Sequence, residues 1–164
     1  MRLLIHNSKL PNNNFHLILS IWRAGLESLK IETEIANAQS FHLAIREFRP
    51  DVVLTIGGEQ IPDYTFQYLR DREQFKWVLW TTEDPFELAY HQAISQHFDY
   101  VFTSDQKSQE SYHHPQCYYL PLAADRTLFY HPVIEQPDDL LYDLTFIGTA
   151  WPNRVQFLKE LVTQ

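Results

Sequence analysis

Two adjacent carboxylates, Glu83 and Asp84, follow directly on the run Lys76–Thr82, which is almost wholly apolar or β-branched. A third, Glu87, comes three residues after Asp84. Carboxylates in a cleft can accept a proton from a substrate hydroxyl, or hold hydroxyls through charge-assisted hydrogen bonds. Local structure competes for the same residues. Asp84 suits a helix N-cap, Pro85 the first helical position, and Glu87 the carboxylate that returns a hydrogen bond to the cap. Glu83 gains nothing as the residue before a cap. It is therefore the candidate catalytic residue, a general base or polar contact, with Asp84 shaping the cleft.

Four further places carry chemistry-bearing residues. Gly57-Gly58 precede Glu59 at the end of an apolar run, where glycine lets the backbone turn sharply and approach a ligand closely. His91 lies one turn beyond Glu87 and could line the same cleft, although a surface position is the commoner meaning of a histidine on such a helix. His113-His114 is a pair whose spacing suits no zinc site, and no metal is expected. The single cysteine, Cys117, sits in an apolar run and reads as a strand residue rather than a nucleophile. The first βα turn, His6–Asn14, contains no glycine, so neither the dinucleotide fingerprint nor the phosphate loop is present there. There is no G-x-S-x-G elbow either.

The elements that must position these residues alternate. Arg2–His6 reads as a strand. Phe15, Ile18, Trp22, Leu26 and Leu29 then mark one face of an amphipathic helix. Ile31–Ala36 alternates Ile, Glu, Thr, Glu, Ile, as a strand with one solvated face near a sheet edge does. Ser40 can cap a helix that Pro50 ends. Asp51–Ile56 is a buried strand, Pro62 opens a helix to about Arg72, and Lys76–Thr82 is a fourth strand followed by a helix over 85–96. Asp99–Thr103 is a fifth strand, Ser104 can cap a short helix, and Cys117–Leu122 is a sixth strand. Strands alternating with helices predict a parallel sheet covered on both faces, a Rossmann-like doubly wound α/β fold. The expected strand order is 3-2-1-4-5, with a sixth strand beyond. In such sheets ligands bind past the carboxyl ends of the strands, where Glu83 and Gly57-Gly58 fall.

Length and composition fit one globular domain, with 45% hydrophobic and 21% charged residues. An aromatic share of 15% leaves rings to spare for an exposed groove or a protein partner. A formal net charge of −8 argues against nonspecific binding to nucleic acid or anionic membranes. No apolar stretch approaches the roughly 20 residues a membrane span requires, and a cytoplasmic location is expected.

The pattern changes after Leu122. Residues 123–140 read as an interdomain linker, and Tyr142–Ile147, Gly148-Thr149-Ala150 and a helix from Pro152 form a trailing βα unit over 141–164. Residues 1–122 form the N-terminal domain. The segment Leu120-Pro121-Leu122-Ala123-Ala124-Asp125, running on to Phe129-Tyr130-His131-Pro132, resembles the interdomain segment of GT-B glycosyltransferases. Asp143-Leu144-Thr145-Phe146-Ile147-Gly148, with Asn153-Arg154 after it, resembles the opening of their C-terminal domain, in particular in the spore-maturation CgeB-type proteins. Trp80–Glu87 and Phe98–Asp105 are similar to that family's N-terminal domain. The likeness runs from about Trp77 to Leu161.

The resemblance implies a transferase that moves a sugar from a nucleotide-sugar, as co-substrate, to an acceptor, with no further cofactor. The N-terminal domain would take the acceptor, through Glu83, Gly57, Gly58, Asp84 and His91. Gly148, Thr149, Asn153 and Arg154, at a helix N-terminus, would meet the donor phosphate. The remaining donor-binding groups are expected beyond Gln164, so this stretch alone is not expected to be a competent enzyme. The other reading is a non-catalytic Rossmann-like module that binds a sugar, a nucleotide or a protein partner.

Overall fold

In a computed structural model, the structure describes residues 1–8, 15–69, 74–123, 145–148 and 150–162. The chain divides into two units, Met1–Asp125 and Arg126–Gln164. In the first, six strands alternate with five helices: β1 Arg2–Asn7, α1 Phe15–Ser28, β2 Glu32–Asn37, α2 Phe41–Phe48, β3 Val52–Ile56, α3 Asp63–Tyr68, β4 Lys76–Thr81, α4 Leu88–Ser95, β5 Tyr100–Thr103, α5 Gln106–Gln109 and β6 Cys117–Tyr119. All pairings are parallel, giving a Rossmann-like α/β sheet. In the second unit, α6 spans Pro152–Val162. The strand expected before it falls mainly on 142–144, outside the described residues; Thr145–Ile147 carry no strand pairing.

The sheet order is β2-β1-β3-β4-β5-β6, which corrects the expected 3-2-1-4-5. The reason is legible in the strands. β2 carries Glu32 and Glu34 and could not lie inside a sheet covered on both faces, whereas Val52–Ile56 of β3 could not lie at its edge. The chain therefore crosses from β2 over β1 to place β3 in the interior. The direction of winding reverses between β1 and β3, and that is where the ligand crevice of such a sheet opens.

Side chains of successive strand residues point to opposite faces, and the core divides accordingly. Leu4, Val53, Trp77, Leu79 and Val101 join Phe41 and Ile45 of α2, Phe66 of α3 and Ile94 of α4 on one face. Leu3, Ile5, Ile56 and Trp80 join Leu19 of α1 on the other, where Trp22 stacks on Trp80 with ring centroids 4.7 Å apart. Every residue of β4 after Lys76 is buried, as its unbroken apolar run requires. Leu29, expected on the buried face of α1, lies beyond its end and is exposed. Arg49 closes α2 in a left-handed conformation (φ 48°) immediately before Pro50. Ser40 makes no cap bond to α2; its hydroxyl and amide engage Asn37 instead. Asp105, not Ser104, caps α5 by accepting from the Ser108 amide at 2.8 Å. Among the described residues no helix is long and apolar enough to cross a membrane.

Candidate functional site

The carboxyl end of β4 is built around Asp84, and not as a helix cap. Residues 83–86 form a tight turn closed by the Phe86 amide donating to the Glu83 carbonyl at 2.8 Å, with the Asp84–Pro85 peptide cis. Helix α4 starts only at Leu88, and Glu87 precedes it without a side-chain cap bond. The expected capping box is therefore absent, because the turn folds the Asp84 side chain inward, against the carboxyl ends of β4 and β5. There the buried carboxylate takes four donors. Oδ2 accepts from Thr81 Oγ1 at 2.6 Å, Thr103 Oγ1 at 2.7 Å and Tyr112 Oη at 2.8 Å; Oδ1 accepts from His91 Nδ1 at 2.7 Å. Burial alone would raise the Asp84 pKa, but the bonds from His91, Thr81, Thr103 and Tyr112 outweigh it and hold the carboxyl at about 2. Burial, and then the negative Asp84, push the Tyr112 phenol upward, so it stays a donor.

Asp84 also orients the ring of His91. An ionised carboxylate only accepts, so the proton between the two sits on Nδ1. His91 is fully buried, which removes the alternative of a surface position. Its Nε2 is also buried and has no hydrogen-bond partner among the described residues. That nitrogen faces Glu87, whose Oε2 lies 3.7 Å away. Glu87 and His91 stand four residues apart on the same side of the α4 start. Glu59 comes to the same place from β3: one ligand-type atom each of Glu59, Glu87 and His91 lie within 4.8 Å of one another.

The glycine pair brings Glu59 there. Gly57 and Gly58 both adopt positive φ (78° and 93°), conformations that side chains strain to reach. A Cβ on Gly57 would fall 2.1 Å from Glu59 Oε2, and one on Gly58 2.6 Å from Ile94 Cδ1. From β1, Ser8 Oγ donates to the Ile56 carbonyl at 2.5 Å and accepts from the Gly58 amide at 2.6 Å, tying the two strands together at the reversal of winding. From α4, Tyr90 Oη donates to the Gly58 carbonyl at 2.7 Å. Burial, and then the negative charges of Glu59, Asp63 and Glu87, raise the Tyr90 pKa.

Of the residues named from the sequence, Gly57, Gly58, Asp84 and His91 converge with Glu59 at the carboxyl ends of β3 and β4. Glu83 begins the turn that holds Asp84, and it is exposed. Gly148, Asn153 and Arg154 belong to the second unit, where Asn153 Oδ1 accepts from the Arg154 amide at 2.9 Å; Thr149 lies outside the described residues. The sequence reading missed Thr81, Thr103 and Tyr112. A signal existed for the first two: each is the polar last residue of an apolar strand, and the register pairs Thr81 with Thr103. Cys117 is half-buried, and burial, then Asp84, push its thiol up to about 11, so it carries little thiolate at neutral pH.

Fold and site together define a doubly wound parallel α/β domain with carboxylates gathered past the ends of β3 and β4. Compared with curated proteins, the chain is similar to the spore protein CgeB of Bacillus subtilis (strain 168), 29% identical over 123 residues. That alignment covers 73% of this chain and 38% of CgeB, so the chain spans well under half the length of that relative. No family model matches the chain, and no solved structure matches it.

Proposed function

We propose that this chain is the acceptor-side part of a sugar transferase of the GT-B kind, acting with a nucleotide-sugar. The observation that carries the reading is the position of Glu83: an exposed carboxylate at the carboxyl end of the most buried strand, on a turn anchored by Asp84. Gly57 and Gly58 lie at the end of the neighbouring strand β3. Similarity to CgeB and the likeness of the 120–132 and 143–154 segments to GT-B proteins support it further. In this reading Glu83 takes the proton from the acceptor hydroxyl as the glycosidic bond forms and the donor's sugar–phosphate bond breaks, the nucleotide leaving with the bonding pair. Gly57, Gly58 and the buried Asp84 shape the acceptor side, and His91 acts from beneath it. Gly148, Thr149, Asn153 and Arg154 take the donor diphosphate, whose charge the N–H groups at the start of α6 help to offset.

The test uses the product of the whole gene, incubated with labelled nucleotide-sugars and followed for transfer or release of the sugar. Glu83→Gln should lower turnover about 10²- to 10⁴-fold, as loss of a general base does, with the melting temperature unchanged. An unchanged rate would remove Glu83 from the mechanism. Absence of turnover with any nucleotide-sugar would remove the transferase reading.

A further inference from the structure

We infer that His91, Glu59 and Glu87 form a binding site for one divalent transition-metal ion. Three observations converge. The first is an imidazole nitrogen with nowhere else to go: His91 Nε2 is buried, lacks a hydrogen-bond partner among the described residues, and is aimed at Glu87 Oε2 from 3.7 Å. That separation is too long for a hydrogen bond. It is close to the roughly 3.4 Å between two ligands at the corners of a tetrahedron with metal–ligand bonds near 2.1 Å.

The second is the orientation of the ring. With Nδ1 2.7 Å from Asp84 Oδ1, His91 turns its other nitrogen, Nε2, toward Glu87. A carboxylate behind a ligating histidine fixes the ring and raises its basicity, as the outer shell of metal sites does. Here that carboxylate is itself held by three hydroxyls, so the ring is oriented before any ion arrives.

The third is the ligand set. Glu87 and His91 are four residues apart at the start of α4, the spacing that sets two ligands on one helical face. Glu59 is delivered from β3 by the positive-φ glycine pair, with the three ligand atoms within 4.8 Å of one another. One nitrogen and two carboxylate oxygens suit zinc, manganese or iron better than magnesium or calcium, which take oxygen ligands. The Glu87 side chain is 44% exposed, which gives an ion a route in and leaves a fourth position open to solvent or substrate. This site does not depend on the sugar-transfer reading.

Calorimetric titration of the chelator-treated protein with Zn²⁺ tests it. One ion per chain should bind, and the melting temperature should rise with it. Glu87→Gln and Glu59→Gln should each weaken binding by more than the roughly 10- to 100-fold that loss of an outer-shell partner costs. His91→Ala should abolish binding, while His113→Ala, at an exposed histidine, should leave it unchanged. Because His91→Ala removes a donor from Asp84 and can unfold the chain, the decisive variant is Glu87→Gln, whose side chain is partly in solvent. Absence of saturable binding by the parent protein overturns the proposal. So does Zn²⁺ binding that survives Glu87→Gln at full strength, or that is lost with His113→Ala.

Discussion

Among the described residues two histidines are buried, His6 and His91, and their surroundings differ in one respect. His6, near the end of β1, stacks on Phe41 at 3.7 Å between centroids and shares a hydrogen bond with the Thr55 hydroxyl at 3.2 Å. His91, on α4, gives Nδ1 to a carboxylate and faces two more across Nε2. Burial, then the nearby His42, lower the His6 pKa to about 3, so His6 is a neutral core ring. The environment of His91 is built from charge: Asp84 behind it, Glu87 and Glu59 before it. Burial alone therefore says little about a histidine. Whether its partners are hydroxyls and rings or carboxylates separates a packing residue from a chemical one.

The contrast breaks most easily at Asp84. Asp84→Ala strands four buried donors, and a loss of about 3–5 kcal/mol in chemical denaturation is expected, as for one partner removed from a buried ionic network. A loss nearer 1 kcal/mol, the usual worth of an N-cap, would mean that Asp84 is only a cap after all. Gly58→Ala attacks the other wall. It sets a Cβ against Ile94 at a φ of 93°, and a loss of about 1–3 kcal/mol is expected. A variant as stable as the parent would show that the turn tolerates rearrangement, and with it the placement of Glu59.

Acid separates the two sites by pH. His6 has its folded pKa below its ordinary value of 6.5, so the unfolded chain binds the proton first. Stability is full above about pH 6.5 and falls towards about pH 3, by at most about 1.4 kcal/mol per pH unit. His6→Phe should flatten that limb and leave stability near neutrality little changed. Asp84 titrates later: its contribution is intact above the ordinary value of 3.8 and is lost as pH falls through about 2. Identical acid limbs in the parent and His6→Phe would contradict the assignment. The smallest effect belongs to Tyr90→Phe, which removes only the bond to the Gly58 carbonyl; about 0.5–1.5 kcal/mol is expected.

Much of the architecture was legible. The run Lys76–Thr82 implied a strand buried on both faces, and the acids of β2 implied an edge. Taken together with the apolar β3, they spoke against the order 3-2-1-4-5, which puts β3 at the edge and β2 inside. The site was legible only in part. Gly57, Gly58, Asp84 and His91 were named, but with Asp84 as a cap, because Asp-Pro-x-Glu is locally the pattern of a helix start. A capping bond is short-range and shows in the spacing of residues.

What the sequence determines by itself here is the periodic part: which segments are strands, which are helices, and which strands are wrapped in apolar partners. Those features depend on neighbours a few residues away. Only the tertiary structure decides that Asp84 turns inward to meet Thr103 and Tyr112, 19 and 28 residues further along, and that Glu59 from one strand end faces His91 from the helix beyond the next. Such contacts are set by the register of parallel strands and the path of crossovers. No local spacing in the chain records either.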